Sequence, residues 1–293
     1  MIATPRISEA RKLLDEARAE GMRIGFVPTM GALHVGHRSL VRRAAAETDF
    51  VVVSIFVNPT QFGANEDLST YPRTFADDLD ACKDEGADLV FHPAAEEIYP
   101  EPSRTQVNIE GLTERLEGEF RPGHFAGVAL VCAKLFNIVG PCTAYFGEKD
   151  AQQLRVVRRM VQDLSMPVEI VPCATVRDAD GLALSSRNRY LDAGQRKRAL
   201  ALPQALRTVA DAIRNGETDA RRLEAAGREV LEAADLDAID YLEVVDPDTL
   251  EPVERVMGTV LVLGTVRLGT TRLLDNVLVE AGAGTSGTGE NDR

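Results

Sequence analysis

His34 and His37 stand three residues apart in PTMGALHVGH (28–37), with Gly36 between them. The chain has only four histidines, so half of them fall within ten residues. The apolar IGFVP (24–28) that leads into this segment reads as a strand, and residues 33–47 read as a helix. Residues three apart then leave one face of the first helical turn. Open α/β sheets hold ligands at that place, beyond the carboxyl end of a strand, where a helix N-terminus offers N–H groups to phosphate. Two imidazoles there can donate to phosphoryl oxygens, and a glycine between them lets an adenine or a phosphate come close. The spacing is also compatible with one capping histidine and one surface histidine. A metal pair is disfavoured, because no third nitrogen or sulfur ligand lies nearby.

Lys149 lies in GEKD (147–150), between a strand-like TAYFG (143–147) and a helix from Asp150 to Leu164. The chain has five lysines against 28 arginines. A cation at a helix N-terminus opposes the helix dipole unless an anion also binds. Asp150 by itself reads as an N-cap. Leu184, Ser185, Ser186 and Arg187 put two hydroxyls and a guanidinium in one loop, which suits pyrophosphate oxygens or, equally, a Ser turn beside a surface arginine. Gln61 and Gln153 by type alone are ordinary surface glutamines, and His92, after a strand, reads as structural. Asp77 and Asp78 are candidates for a cation no better than a helix N-terminal acid pair. A literal GxGxxG at Gly282, Gly284 and Gly287 has no helix after it and reads as part of a flexible tail.

The elements that must position these groups follow an alternating pattern. Strand-like runs at 24–28, 51–57, 88–92, 143–147 and 168–172 alternate with helical stretches at 33–47, 74–86, 127–139 and 150–164. VVVSIFV (51–57) is β-branched without period-two polarity, as in a strand covered on both faces. Such units imply a parallel sheet with right-handed crossovers. After about Thr175 come Ala- and Arg-rich helices at 193–214 and 218–234, then antiparallel-looking strands at 239–245, 259–267 and 272–280. The expected organisation is a Rossmann-like α/β domain over 1–175, a smaller α+β domain over 176–281, and a disordered tail over 282–293.

A length of 293 residues allows two such domains. Thirty-three basic against 46 acidic side chains give a formal charge of −13, which disfavours a nucleic-acid backbone or an anionic membrane as partner. No apolar run is long enough to span a bilayer, and the acidic N-terminal segment does not resemble a signal peptide. Cys82, Cys132, Cys142 and Cys173 are widely spaced and read as buried free thiols in the cytoplasm.

The H-x-G-H after a strand resembles the signature of a nucleotidyltransferase superfamily that includes class I aminoacyl-tRNA synthetases and cytidylyltransferases. VPTMGALHVGH, VVVSIFVNPTQFG, YPRT, RPGHFAGV, YFGEKDAQQL, DGLALSSRNRYL and LGTTRLLDN follow in that order. Together they resemble the pantoate–β-alanine ligase family from about Arg23 to Glu280. The resemblance implies condensation of pantoate with β-alanine through an enzyme-bound pantoyl adenylate, with AMP and pyrophosphate released, and Mg²⁺ accompanying ATP. It implies His37, His34, Lys149 and Arg187 as catalytic. It places ATP against Met30, Gly31, Ala32, Leu33, His34, Val35, Gly36 and His37, against Gly147, Glu148, Lys149 and Asp150, against Val176, and against Leu184, Ser185, Ser186 and Arg187. Gln61 and Gln153 would hold pantoate, and Gln61 also β-alanine. Asn58, Arg121 and His124 fall in matched segments without an assigned role. A cytoplasmic homodimer is implied as well. Other nucleotidyl transfer on the same scaffold, or a regulator that binds nucleotide without turnover, would share part of this pattern. One departure is Thr60, where the family commonly has methionine, which would alter the wall beside pantoate's gem-dimethyl group.

Overall fold

The computed structural model describes residues 1–63, 66 and 68–282. Within it the chain divides into two compact units, one of residues 1–178 and 183–186, the other of 179–182 and 187 onward. The GxGxxG segment lies outside the described residues beyond Gly282, as does the tail that reads as disordered from its composition.

The first unit is built on β1 (Ile2–Thr4), β2 (Ile24–Thr29), β3 (Phe50–Ile55), β4 (Leu89–Phe91), β5 (Cys142–Gly147) and β6 (Val168–Cys173). These form one sheet in the order β1-β4-β3-β2-β5-β6, and each neighbouring pair is parallel. The repeated strand–helix pattern of the sequence therefore gives the Rossmann-like sheet it implies. Val51, Val52 and Val53 are all buried, as β-branched residues covered on both faces must be. The chain runs outward from β2 through β3 to β4, then returns to the other side of β2 with β5 and β6. The order thus reverses between β2 and β5, and their carboxyl ends flank the switch point.

α1 (Ile7–Ala19) and α6 (His124–Val139) contribute to one core with Phe26, Val52 and Phe146. α6 is buried along nearly its whole length, consistent with its HFAGVALVCAKLFNIV composition. α2 (Val35–Glu47) and α3 (Phe75–Asp84) bury Leu40, Val41, Ala44 and Cys82 with Val51, Val53 and Tyr145 in a second cluster. β1 and α1 lie upstream of the strand–helix series read from the sequence. Ile2, Ala3 and Thr4 extend the sheet edge against β4, and α1 buries Ala10, Leu14 and Ala17 on one stripe.

The second unit carries α8 (Ala193–Ala199), α9 (Ala201–Arg214) and α10 (Ala220–Glu232), then an antiparallel sheet of β7 (Ala238–Val245), β8 (Thr259–Leu268) and β9 (Thr271–Glu280). The 193–214 stretch is two helices, not one. Pro203 sits in the first turn of α9, where its missing N–H costs nothing, but it cannot continue a helix from Ala199. α9 and α10 bury Leu202, Leu206, Val209 and Leu223 with Val244, Val262 and Val266. LGTTRLLDN forms the β8–β9 turn and the start of β9, where the Arg272 and Arg267 guanidiniums pair with Asp240.

One glycine fixes how α6 meets the 3₁₀ turn Pro59–Gln61. A Cβ on Gly127 would lie 2.4 Å from the Thr60 carbonyl oxygen and 2.7 Å from Gln61 Cα. Both obstacles are backbone, so neither can swing aside. Gly127→Ala is therefore expected to lower stability by about 1–3 kcal/mol or more. An unchanged urea midpoint would contradict this close approach.

Candidate active site

The segment after β2 turns sharply before α2 begins. Gly31 and Ala32 are both left-handed, with φ of +81° and +50°. Thr29 Oγ1 accepts the Gly31 N–H at 3.1 Å, and the Asp78 carboxylate accepts those of Ala32 and Leu33 at 3.0 and 2.7 Å. His34 is the N-cap of α2 and His37 occupies its third position. His34 Nδ1 accepts the Gly36 N–H at 3.1 Å, and His37 Nδ1 receives the His34 N–H at 3.4 Å. The two rings lie 4.1 Å apart, tilted by 30°. The histidines are thus reciprocal caps of their own helix as well as neighbours at the switch point. The capping and functional readings are not alternatives.

Capping has a chemical consequence. A nitrogen that accepts a hydrogen bond carries no proton, so each neutral ring keeps its proton on Nε2 and can donate from there. Burial, and then the proximity of His34, hold His37 down at about 3; Asp150 acts in the opposite direction and Lys149 in the same one. At neutral pH His37 is a neutral donor, not an imidazolium. Gly36 also meets a demand of the fold itself. A Cβ there would sit 2.9 Å from His34 Cε1 and 3.0 Å from its Nδ1, so the capping ring itself requires the glycine.

The facing loop follows β5. Lys149 and Gly147 are half-buried and Asp150 is exposed. The electrostatic influence of Lys149 and Asp150 on His37 shows that the loops after β2 and β5 converge. Asp150 is the N-cap residue of α7 (Ala151–Asp163), as its place in the sequence suggests, although its side chain makes no capping hydrogen bond. A Cβ on Gly147 would meet nothing within 4 Å, which leaves open space beside this backbone. Glu148 N–H extends the β5–β6 pairing to the Cys173 carbonyl at 2.8 Å.

Gln61 is buried, and a polar network orients it. Asn58 Oδ1 accepts from the Thr60 N–H (3.3 Å), Thr60 Oγ1 (2.9 Å) and the Tyr99 hydroxyl (2.8 Å). Asn58 Nδ2 donates to Gln61 Oε1 (3.0 Å) and to the Gly127 carbonyl (3.1 Å). Gln61 Nε2 is thereby turned toward Met30, whose sulfur it approaches at 3.1 Å. Thr60 is exposed, and its hydroxyl completes this network.

Behind Gln61, the His124 ring meets its carbonyl oxygen at 2.8 Å through Nδ1 and Arg121 at 3.0 Å through Nε2. Glu66 grips the same guanidinium at 2.7 and 2.6 Å. Burial, followed by the Arg121 charge, brings His124 down to about 4, so Nδ1–H donates to Gln61 and Nε2 accepts from Arg121. Glu66 and Tyr99 were not apparent as site residues in the sequence. Their partners lie 55 and 41 positions away, and no local motif announces them.

On α7, Gln153 is half-buried, while its neighbour Gln152 is spent on Glu117 N–H and the Leu112 and Arg115 carbonyls. Val176 accepts the Leu184 N–H at 3.0 Å, which closes the chain into a hairpin, and Ser185 follows on the first unit. Ser186–Tyr190 is a 3₁₀ turn, with Arg187 counted in the second unit. His92 packs its ring on Phe75 at 4.5 Å. All four cysteines are free; Cys142 is only partly buried, while burial pushes Cys132 and Cys82 up to about 12. Among the described residues no group of three or more His, Cys, Asp or Glu could hold a metal ion. Asp78, one of the acid pair considered for a cation from sequence, accepts the backbone N–H groups of Ala32 and Leu33. No helix of the described residues is long and apolar enough to cross a membrane.

Comparison with known proteins identifies the family. Residues 3–278 match the family model described as pantoate-beta-alanine ligase. The chain is 53% identical to a pantothenate synthetase of Thermotoga neapolitana, covering 93% of this chain and 98% of that protein. It is 49% identical to one of Caldicellulosiruptor saccharolyticus, covering 96% and 100%. The crystal structure of pantothenate synthetase from Thermus thermophilus superposes with a TM-score of 0.90 at 47% identity, covering 94% of this chain and 99% of that one. A pantoate-beta-alanine ligase from Francisella tularensis, complexed with beta-gamma ATP and beta-alanine, gives 0.79 at 32% identity, covering 95% and 97%.

The His37 assignment has a pH signature. The unfolded ring binds its proton near 6.5 and the folded one near 3, so the unfolded state holds more protons between those values. The stabilising contribution is present above 6.5 and is lost as pH falls toward about 3. Histidine ¹⁵N NMR on the folded protein is expected to show His37 neutral, with its proton on Nε2, at pH 5. A His37 resonance titrating near 6.5 would contradict the reciprocal cap.

Proposed function

From the premise that this chain belongs to the pantoate-beta-alanine ligase family, and so is a ligase, we propose that it joins pantoate to β-alanine through a pantoyl adenylate, releasing AMP and pyrophosphate. The observation that carries this reading is the histidine pair at the switch point, each Nδ1 accepting a backbone N–H so that Nε2 is left to donate, beside the loop after the neighbouring strand β5.

The first step is attack of the pantoate carboxylate on the α-phosphorus of ATP. Such transfers need alignment and stabilisation of charge on phosphoryl oxygens more than covalent help from the protein. His34 and His37 donate from Nε2 to the α-phosphate and leaving-group oxygens, and Lys149 adds a cation. Neutral donors suit this role, since backbone N–H groups already hold both rings in place and no reorganisation is needed. Arg187, with Ser185 and Ser186, binds the departing pyrophosphate in bidentate fashion. Gly147 and Asp150 border the ribose, and Met30, Gly31, Ala32, Leu33, Val35, Gly36, Glu148, Val176 and Leu184 frame the nucleotide.

Gln61 donates to pantoate through the Nε2 that Asn58 turns toward Met30, and Gln153 approaches the same substrate from α7. Neutral amides orient a carboxylate nucleophile without quenching its charge. β-Alanine then enters beside Gln61, and its unprotonated amine attacks the acyl carbon, expelling AMP. Mg²⁺ would enter with ATP and would help neutralise the phosphate charge during transfer. The four free thiols support a cytoplasmic location, and the family resemblance supports a homodimer.

The deciding experiment is product analysis with ATP, Mg²⁺ and pantoate, with and without β-alanine. AMP and pantothenate are expected together only when β-alanine is present, with pantoate-dependent exchange of pyrophosphate into ATP in its absence. Nucleotide binding without turnover would overturn the reading. His37→Ala is expected to lower the exchange rate by about 10²–10³, the usual loss for one preorganised donor. Gln153→Ala is expected to raise the pantoate KM while leaving that for ATP nearly unchanged.

A further inference from the structure

Asp78 is a carboxylate buried to 2% exposure that no step above uses. Its Oδ1 accepts the Leu33 N–H (2.7 Å) and the Thr74 hydroxyl (3.3 Å), and its Oδ2 accepts the Ala32 N–H (3.0 Å). A buried charge is retained only when hydrogen-bonded or paired, and here two of the three donors are consecutive backbone amides. Those amides point at one anion because Gly31 and Ala32 are both left-handed, a conformation an alanine seldom takes unaided. A Cβ on Gly31 would fall 3.0 Å from Asp78 Oδ2, so loop and carboxylate are fitted to each other.

The next peptide group along the chain is His34 N–H, which His37 Nδ1 receives. Its direction follows from the two units that Asp78 grips. α3 braces the other end of the arrangement as well. Glu85, just past its C-terminus, accepts from Arg38 (2.7 Å) and Arg42 (2.8 Å) of α2. One helix thus holds both the loop that carries the histidines and the helix that they cap.

We propose that Asp78 is a positioning residue, whose carboxylate holds the Ala32–Leu33 amides so that His34 and His37 cap each other and present Nε2–H to the nucleotide. Asparagine has nearly the same shape but only one acceptor; the NH₂ that replaces the other oxygen would face a backbone N–H. The rate consequence rests on the ligase reading above, whereas the effect on the rings does not.

The test pairs Asp78→Asn with Asp80→Asn, an exposed carboxylate on the same helix with the same change in charge. In the full-length protein, histidine ¹⁵N NMR is expected to show wild-type His34 and His37 as Nε2–H forms and Asp78→Asn as a mixture of tautomers. Pantoate-dependent exchange of pyrophosphate into ATP is expected to lose about 10² in rate, the scale of a 1 Å misplacement, with a much smaller change in the ATP KM. Asp80→Asn should match wild type in both. Wild-type tautomers in Asp78→Asn would overturn the proposal, as would an equal loss in Asp80→Asn. If wild type shows no exchange, the ligase reading fails, and the tautomers alone decide the role of Asp78. If Asp78→Asn does not fold, Thr74→Val removes one of the three bonds. It should shift the same resonances in the same direction, and unchanged resonances would overturn the proposal.

Discussion

The turn between β2 and α2 spends its backbone N–H groups on the protein itself. Gly31 gives its proton to Thr29, Ala32 and Leu33 give theirs to Asp78, His34 to His37 and Gly36 to His34. A glycine-rich phosphate loop does the opposite and offers its amides to the ligand. Here the amides are used to fix two rings, and the rings carry the donors outward. The fixed elements are therefore side chains whose tautomer is set by the peptide group each one accepts. The strand reversal puts the lysine loop opposite this short turn, α3 grips it from one side, and α2 grows out of it.

This arrangement reconciles a strongly acidic chain with a polyanionic substrate. A net charge of −13 opposes ATP at long range, but screening removes most of that beyond about 8–10 Å in physiological salt. Inside that distance the local donors decide. Under the proposed reading, two imidazoles that accept backbone N–H groups at Nδ1 serve as donors without charge, and the half-buried Lys149 adds the cation. A pair of imidazolium ions at 4.1 Å between centroids would repel each other, and burial already holds His37 far below its ordinary value. Neutral donors avoid that cost while keeping the hydrogen bonds.

The parts legible in the sequence are those whose cause is local. Strand–helix alternation gave the parallel sheet, because each unit carries its own periodicity and β-branched runs. The histidine pair was legible because three residues make one helical turn, and Lys149 because of its place after a strand. Long-range causes were not visible. Asp78 read as one of a pair of helix acids, yet its partners are 45 and 46 residues upstream. Gly36 invited a ligand explanation, and the fold adds a second demand that the sequence did not show, since a Cβ there would meet the His34 ring. The break at Leu200 was hidden because Pro203 fits a first turn as readily as it interrupts a helix, and the residues around it share one amphipathic pattern. β1 has three residues, too few for a period, and owes its place to β4.

Thr60 shows how a departure from a family pattern can be absorbed. Read as a side chain in a wall, a threonine in place of methionine removes apolar surface. In the fold it faces Asn58 and completes a set of three donors to one amide oxygen. That set decides which way Asn58 lies, since its NH₂ must then point to Gln61 Oε1 and the Gly127 carbonyl. The Gln61 amide is oriented in turn, with its own NH₂ toward Met30. His124 holds the Gln61 backbone from behind, and Glu66 holds the arginine that His124 accepts from. Each amide has one arrangement that satisfies all its partners, and the opposite flip would bring donor against donor. The polarity of the Gln61 amide is thus fixed by the fold itself, and preorganisation of this kind is what lets a neutral amide discriminate between a hydrogen-bond acceptor and a donor.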